Sequence, residues 1–267
     1  MPFEETKKPI DMDELVSIIT PSFNSEKFIS ETILSVQKQS YTNWEMIIVD
    51  DFSTDKTVRI IQEFILKDNR IKLFEFEKNF GTGVARNFGL NKSKGRYIAF
   101  LDADDLWKQE KLKIQIAFLK TNHQFFTFSF YDCMDENGNS LYKTITAPKN
   151  LTYSQLFFCN FIGNLTGIYD ANYFGKIPIP SIRKRQDWML WLTILKKIKT
   201  AKPIPESLAI YRIRKDSISA SKIDLLKHNF LVYRQFHQFN IVFSIFCMML
   251  FLVIQLLVKP FFVKRTN

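Results

Sequence analysis

Two carboxylates one residue apart, Asp102 and Asp104, are well placed in this sequence to do chemistry. They follow the apolar run 97–101, which predicts a buried strand that ends where the carboxylates begin. Paired carboxylates can face one divalent cation, and Mg²⁺ or Mn²⁺ prefers such oxygen ligands and also binds phosphate oxygens. The alternative is a solvated acidic turn before the next helix. The position at a strand end favours the cation site.

A second pair of carboxylates, Asp50 and Asp51, follows the apolar run 46–49. A carboxylate at this position can accept a hydrogen bond from the N3–H of a uracil-type base or from a ribose hydroxyl. The neighbouring Ser53 and Thr54 are suited to capping the helix that follows. Both roles can hold, so we assign capping to Ser53 or Thr54 and binding to Asp50 or Asp51.

Asp187 lies in a basic segment, two residues after the last of three cations at 183–185, and Trp188 and Trp191 follow it. A carboxylate beside aromatic walls can act as a general base, and tryptophans suit the apolar faces of a sugar ring. The alternative is a helix N-terminus in which Asp187 faces the helix dipole and the tryptophans are in the core. The spacing of these residues leaves both interpretations open.

Two further segments offer positive charge for phosphates. The run 81–89 contains Gly81 and Gly83 and is similar to a dinucleotide fingerprint, but its third glycine is displaced and it follows the third predicted strand. We interpret it as a helix start from which Arg86 reaches a nucleotide or its phosphates. The run 211–215 includes Arg212, whose fixed charge suits a pyrophosphate, with a solvated basic face as the alternative.

These residues require a scaffold that brings strand ends together. Short apolar runs at 16–20, 46–49, 71–76 and 97–101 predict strands, and helical periodicity appears at 27–39, 57–66, 84–90 and 112–119. This alternation predicts an α/β fold with a mostly parallel, Rossmann-like sheet and helices on both faces. Ligands of such sheets bind beyond the carboxyl ends of the strands, where these carboxylates lie.

Composition limits the class of protein. The 267 residues are 46% hydrophobic and 24% charged, which allows one large packed domain plus an appendage and excludes a disordered chain. The net charge of +10 suggests anionic partners such as phosphates, nucleic acid or an acidic membrane face. Three widely spaced cysteines exclude a disulfide framework, and the three histidines share no zinc-ligand spacing.

The two ends of the chain differ in character. Residues 1–14 are polar and lack the apolar core of a signal peptide, so we expect the domain that follows to be cytoplasmic. The last segment, 225–267, has five Lys/Arg and no acidic residue, and its run 241–258 is about the minimum length to span a ~30 Å hydrocarbon core. Cations on both sides of that run disfavour a single span and favour an in-plane or re-entrant helix, with a buried core helix as the alternative. We predict a membrane contact through residues 241–263 at the cytoplasmic face, and leave spanning open.

Four motifs resemble, in order and spacing, the family 2 glycosyltransferases of GT-A fold, over roughly residues 15–215. The resemblance is greatest to bacterial members that build surface polysaccharides. The motifs are Val16-Ser17-Ile18-Ile19-Thr20-Pro21-Ser22-Phe23-Asn24, Val49-Asp50-Asp51-Phe52-Ser53-Thr54-Asp55, Ala85-Arg86-Asn87 and Phe100-Leu101-Asp102-Ala103-Asp104-Asp105.

The resemblance implies roles for the donor side of the site. Pro21, Phe23 and either Asp51 or Asp50 would line the nucleotide pocket, and Arg86 would contact the nucleotide. Asp102 would lie near the ribose, and Asp104 would hold Mn²⁺ or Mg²⁺.

It also implies an inverting reaction. Asp187 would deprotonate an acceptor hydroxyl, which attacks the anomeric carbon of the donor in a single displacement. The family's Glu-Asp pair appears here as Gln186-Asp187, so the neighbour of the base departs from the pattern while the base itself is kept. Trp188, Trp191 and Arg212 would contact the acceptor or the diphosphate, and Tyr211-Arg212 with Ser217-Ile218-Ser219 resembles a loop that closes over the diphosphate.

The sequence thus predicts a polar segment 1–14, a GT-A domain 15–224 and a membrane-associating tail 225–267. The domain would comprise a nucleotide-binding half, 15–120, and an acceptor-binding half, 121–224. Its partners would be a nucleotide sugar, by default of UDP, and a lipid-linked saccharide, with no nucleic acid.

Two alternatives remain at this level. A sugar nucleotidyltransferase would need a glycine-rich, lysine-bearing loop after the first strand, which residues 20–24 do not provide. A nucleic-acid-binding protein would explain the charge, but the basic residues concentrate after Arg183 without an RNA-binding aromatic signature.

Overall fold

A computed structural model describes residues 14–180, 182–214 and 222–265. Its first half contains four parallel strands in the order β3-β2-β1-β4. β1, β2 and β4 are buried along their whole length, which explains why the sequence shows unbroken apolar runs rather than alternation. The strands are β1 (Val16–Ser22), β2 (Trp44–Asp50), β3 (Ile71–Glu75) and β4 (Tyr97–Phe100).

Four helices cover the two faces of these strands: α1 (Ile29–Gln37), α2 (Thr57–Ile65), α3 (Thr82–Lys92) and α4 (Lys111–Thr121). Successive side chains of a strand point to opposite faces, and β2 shows the consequence. Met46 and Ile48 pack in one apolar cluster with residues of α1, α2 and α4, whereas Ile47 and Val49 pack with Ala85 of α3. The predicted α/β class is therefore confirmed.

The second half of the sheet is mainly antiparallel. β6 pairs antiparallel with β7 and β9, β9 continues the sheet to β4, and β11 lies parallel to β6 and antiparallel to β5. β8 and β10 form a separate two-stranded ribbon. These strands are β5 (Leu106–Trp107), β6 (Phe126–Met134), β7 (Ser140–Ile145), β8 (Leu151–Thr152), β9 (Ile168–Asp170), β10 (Thr200–Ala201) and β11 (Pro203–Arg212).

A long buried helix, α7 (Gln186–Ile198), forms the centre of the second core. The other helices here are α5 (Tyr153–Phe158), α6 (Ala171–Phe174), α8 (Lys222–Leu231) and α9 (Ile241–Leu257), with a short π segment at Val232–Phe236 and 3-10 turns at Asn164–Thr166 and Lys259–Phe262. Eight residues of α7 are buried, so its N-terminus is held firmly beside the sheet.

The hydrophobic C-terminal segment is an integral part of the fold, which corrects the prediction of an appended tail. Cys247 and Phe251 of α9 belong to the same apolar core as α7, and the Phe251 ring lies 5.6 Å from the Trp188 ring. A last strand, β12 (Val263–Arg265), pairs with β7. Within the described part of the chain, no helix is both long enough and apolar enough to span a membrane. The single-pass arrangement considered above therefore has no support among these residues.

Candidate functional site

The two carboxylates that follow β2 hold the loops at the strand ends. Asp50 is buried and accepts hydrogen bonds from the hydroxyls of Ser22 and Ser53 and from the Ser53 backbone N–H, at 2.6–2.8 Å. Because Asp50 is committed to three donors, it acts mainly as a loop anchor. Pro21 is likewise buried, at the end of β1.

Asp51 organises the start of α3. Its two carboxylate oxygens accept the backbone N–H groups of Phe80 and Gly81 at 2.7 and 2.8 Å. Each oxygen holds one hydrogen bond and keeps a free lone pair, so Asp51 suits a further donor better than Asp50 does. Gly81 has a φ of 91°, a conformation that favours glycine, which explains this residue at the helix N-cap.

Exposed phenylalanines surround Asp51. Phe23, Phe52 and Phe80 follow the ends of β1, β2 and β3, and each is about half exposed. Phe23 is among the residues that the sequence predicts for the nucleotide pocket. Phe52 and Phe80 are not, although both follow predicted strands. Apolar rings of this size gain free energy when a flat ligand covers them.

Arg86 connects the carboxylate pair to the start of α7. Its guanidinium forms a 2.5 Å ion pair with Asp102 and donates at 2.8 Å to the side-chain oxygen of Gln186, the residue before Asp187. Asn164 also donates to Asp102, at 3.2 Å. One buried guanidinium therefore spans the gap between Asp102 and the N-terminus of α7. Asp187 is the next residue along α7 after Gln186.

Gly83 explains why the run 81–89 contains a second glycine. A Cβ atom at Gly83 would lie 2.3 Å from the amide nitrogen of Gln186, so only a glycine lets the first turn of α3 approach α7 this closely. The run 81–89 therefore forms a contact between the N-termini of α3 and α7, in agreement with its poor match to a dinucleotide motif. Gln186 accepts a hydrogen bond from Arg86 without carrying a charge. The Arg86 guanidinium therefore forms its ion pair with Asp102.

Asp104 and the neighbouring Asp105 lie in a buried, negatively charged spot. Burial raises the pKa of the Asp104 carboxyl above its ordinary value, an effect that Arg214 opposes and Asp102 reinforces. Burial likewise raises the pKa of Asp105 well above its ordinary value, and the carboxylates of Asp104 and Asp102 add to the rise. The Arg214 guanidinium lies 2.7 Å from Asp104 and supplies one positive charge.

Asp102 and Asp104 are ligands of the type that a hard divalent cation prefers, and among the described residues no group of three or more His, Cys, Asp or Glu side chains is arranged to hold a metal ion. Asp104 and Asp102 provide carboxylate oxygens within each other's field, and Mg²⁺ sites commonly combine one or two carboxylates with phosphate oxygens of the ligand. A bound cation would also relieve the repulsion that raises the pKa of Asp104.

Arg212 has a different task from the one that the sequence predicts. Its side chain is only 2% exposed and donates to the backbone oxygens of Asp104 and Glu136 and to the Glu31 carboxylate. Its guanidinium therefore fixes the loop that carries Asp104 and is not exposed to solvent. Arg214, two residues on, is the arginine that meets the Asp104 carboxylate. The resembling loop motif at Ser217-Ile218-Ser219 lies outside the described residues.

Asp187 lies in the first turn of α7 and is partly exposed. Asn160 donates a 2.9 Å hydrogen bond to one of its carboxylate oxygens. Burial raises the pKa of the Tyr131 phenol, and the charges of Asp187 and Asp105 both add to the rise, so Tyr131 lies in the field of both carboxylates. Asp187 is therefore a partly exposed carboxylate whose orientation the Asn160 side chain fixes.

The two tryptophans of α7 pack in the hydrophobic core, which corrects the prediction that they contact an acceptor. Trp188 is 1% exposed and its indole N–H donates to the Leu156 carbonyl oxygen. Trp191 is fully buried and stacks 5.3 Å from Phe126, and a Cβ atom at Gly167 would collide with it. In this conformation neither indole offers a face to a sugar, so the packing alternative applies.

Replacing Trp191 with phenylalanine tests this packing role. We expect the unfolding free energy to fall by about 2 kcal/mol, because the smaller ring leaves a void between Phe126 and Gly167. The KM for an acceptor should stay within twofold of the wild-type value. Urea denaturation and steady-state kinetics measure the two quantities, and a raised KM with unchanged stability would restore the acceptor role.

Similarity to known proteins defines the class of enzyme, the glycosyltransferases. The family model "Glycosyl transferase family 2" matches residues 17–172, and the chain belongs to that family. It is 43% identical over 233 residues to the "putative teichuronic acid biosynthesis glycosyltransferase TuaG" of Bacillus subtilis, an alignment that covers 87% of this chain and 92% of the relative.

A second relative carries a more specific name. The chain is 40% identical over 225 residues to the "UDP-Glc:alpha-D-GlcNAc-diphosphoundecaprenol beta-1,3-glucosyltransferase WfgD" of Escherichia coli, with 84% of this chain and 87% of the relative covered. Among solved structures, TarS of S. aureus in complex with UDP-GlcNAc aligns with a TM-score of 0.67 and 22% identity over 92% of this chain and 76% of its own. That likeness establishes the GT-A-like fold of the chain.

Proposed function

We propose that this enzyme transfers a sugar, with inversion, from a UDP-sugar to a hydroxyl of a lipid-linked saccharide in the synthesis of a bacterial surface polysaccharide. The observation that carries the proposal is the Arg86 bridge, because in a family 2 chain it links Asp102 to Gln186, the residue before Asp187. The name of the WfgD relative, which specifies a UDP-sugar donor and a diphosphoundecaprenol acceptor, supports both substrate classes.

The donor would lie along the ends of β1, β2 and β4. We assign the base to the side chains around Asp51, which can accept a hydrogen bond while Phe23 or Phe52 covers the ring. Arg86 fixes Asp102 beside the ribose. Asp104 would hold Mg²⁺ or Mn²⁺, and the bound cation would stabilise the charge that develops on the leaving diphosphate.

Asp187 would act as the general base. Its carboxylate is held by Asn160 and would face a crevice shared with Asp102 and Asp104, where it would accept the proton of an acceptor hydroxyl as that oxygen attacks the anomeric carbon. The bond to the nucleoside diphosphate breaks in the same displacement, so the product has the opposite anomeric configuration to the donor.

Product analysis tests this function. The purified enzyme is incubated with a panel of UDP-, GDP- and dTDP-sugars and with lipid-linked acceptors in the presence of Mg²⁺ or Mn²⁺. We expect an extended lipid-linked saccharide with inverted linkage, together with one nucleoside diphosphate. Release of inorganic pyrophosphate would instead identify the sugar nucleotidyltransferase considered above.

We further propose that the enzyme binds the membrane surface through α9 and the turn after it, residues 241–263. The outer face of this segment is apolar and exposed, with Leu256 at 74% and Phe261 at 83% exposure, and the exposed cations Lys264 and Arg265 follow it. An apolar helix face edged by cations is typical of helices that lie in the interface of an anionic membrane.

The double substitution Leu256→Asp and Phe261→Asp tests this contact. We expect binding to phosphatidylglycerol-containing vesicles to fall at least tenfold, because burying each apolar side chain contributes roughly 1.5–3 kcal/mol. Leu66→Asp is the matched control, since Leu66 is 87% exposed at the end of α2. Co-sedimentation measures binding, and an equal loss in the control would refute the assignment.

A further inference from the structure

A chain of polar contacts connects Asp187 to the end of α9. The Asn160 side chain donates to Asp187, and the backbone oxygen of the same asparagine accepts a hydrogen bond from the Lys259 ammonium. Lys259 begins the 3-10 turn directly after α9. The end of the proposed membrane segment therefore contacts the backbone of the residue whose side chain orients the proposed base.

A second cation, Arg185, flanks Asp187 from the other side. It is the N-cap of α7 and has a φ of 66°, a left-handed conformation that is unusual for a residue other than glycine. Its side chain donates at 2.5 Å to Asn229 of α8. Burial lowers the pKa of the Arg185 guanidinium, and the charge of Asp187, two residues further on, opposes this fall.

Positive charge is in excess around Asp187. Among the described residues, neither Arg185 nor Lys259 forms an ion pair. Burial lowers the pKa of both groups, and the charge of the Asp187 carboxylate raises it. Burial lowers the pKa of Lys259, and the charges of Arg185 and of Lys143 on β7 lower it further. Arg185 and Lys259 thus lie near one carboxylate, an arrangement that favours an added anion.

The position of this cluster indicates which anion. The exposed residues Leu256, Leu257 and Val258 lead along α9 directly to Lys259, and the exposed Phe261 follows it. A lipid tail along this apolar face would bring its head group to Lys259 and the attached sugar to Asp187. The donor diphosphate has a separate set of partners beside Asp104 and Arg214.

We propose that Arg185 and Lys259 bind the diphosphate that joins the acceptor sugar to its lipid. The assignment rests on the proposed function and adds the location of the acceptor's charged group to it. Diphosphate oxygens would accept hydrogen bonds from the guanidinium and the ammonium group, which are the strong, charge-assisted kind. The site would select lipid-linked acceptors over free saccharides and would place the sugar hydroxyl at Asp187.

Binding of farnesyl diphosphate tests the site. The protein is first saturated with UDP and Mn²⁺, so that the donor site is filled, and is then titrated calorimetrically with the lipid diphosphate. We expect Lys259→Gln to weaken this binding roughly tenfold, because one charge-assisted contact is lost while glutamine can still donate to Asn160. Lys259→Arg should restore most of the affinity, and Lys264→Gln, which removes an exposed charge of β12, should leave it within twofold.

The outcomes separate the two proposals. Unchanged affinity in Lys259→Gln, or an equal loss in Lys264→Gln, would overturn the assignment of the cluster. Inorganic pyrophosphate that binds as tightly as farnesyl diphosphate would overturn the lipid-linked source. UDP affinity is measured in the same samples without lipid. Failure of the wild-type protein to bind UDP would reject the proposed function, whereas normal UDP binding with insensitive lipid binding rejects this inference alone.

Discussion

Replacement of Asp187 by asparagine is expected to lower kcat for sugar transfer by about 10³-fold, within the range that general-base catalysis contributes. Asparagine has the same shape and can still accept the hydrogen bond from Asn160, but it cannot take the proton of the acceptor hydroxyl. UDP affinity and the unfolding free energy should stay near the wild-type values. Single-turnover transfer assays and calorimetric titration with UDP measure these quantities.

Gln186→Glu is the matched control for this variant. It adds a carboxylate one residue away, where Arg86 can pair with it, and it restores the Glu-Asp pair of the family. Transfer should stay within a few-fold of wild type. An Asp187→Asn enzyme that retains full activity would show that another group accepts the proton.

Replacement of Asp104 by asparagine should have an effect of similar size, for a different reason. We expect kcat/KM to fall by at least about 10²-fold and the affinity for Mn²⁺ to fall in parallel, because a neutral amide is a much weaker ligand for a hard cation. Electron paramagnetic resonance of free Mn²⁺ measures the affinity without reference to activity. Removal of metal from the wild-type enzyme with EDTA should abolish transfer, and added Mn²⁺ should restore it.

Asp68→Asn provides the control for loss of a carboxylate elsewhere. Asp68 pairs with Arg70 before β3, outside the crevice, and its pKa is lowered to about 2, first by the hydrogen bond from Arg70. This variant should bind Mn²⁺ as the wild type does. Unchanged Mn²⁺ binding in Asp104→Asn would contradict the assignment of Asp104 as the metal-holding residue.

The strand-end positions of the carboxylates proposed for the donor side could be predicted from the sequence because each depends only on the local chain. Asp51 and Asp102 each follow an apolar run, and parallel strands bring such ends to one edge of the sheet. Even the mismatch of the run 81–89 to a dinucleotide motif was informative, since Gly83 serves the contact with Gln186.

The roles of aromatic and basic side chains could not be predicted in the same way. α7 is buried on nearly all sides, so helical periodicity does not reveal whether Trp191 faces a ligand or the core. The choice between Arg212 and Arg214 depends on how β11 pairs with β5 and β6, a contact between segments about 80–100 residues apart in the chain. The link from Asp187 through Asn160 to Lys259 likewise joins three distant segments.

The prediction of a hydrophobic tail was correct in its pattern and wrong in its structural consequence. An apolar stretch of this length is typical of both a membrane-bound helix and a buried one, and α9 combines the two environments. Its inner face completes the core around Trp188, and its outer face stays exposed.

A crystal structure with UDP and Mg²⁺ tests the central claim most directly, namely that the carboxylate pair and Asp187 face one nucleotide-sugar site. We expect the uracil beside Asp51, Mg²⁺ bonded at about 2.1 Å to an Asp104 oxygen and to the diphosphate, and the Asp187 carboxylate facing the β-phosphate across open space. A nucleotide bound elsewhere, or an Asp187 carboxylate turned away from the β-phosphate, would contradict the account.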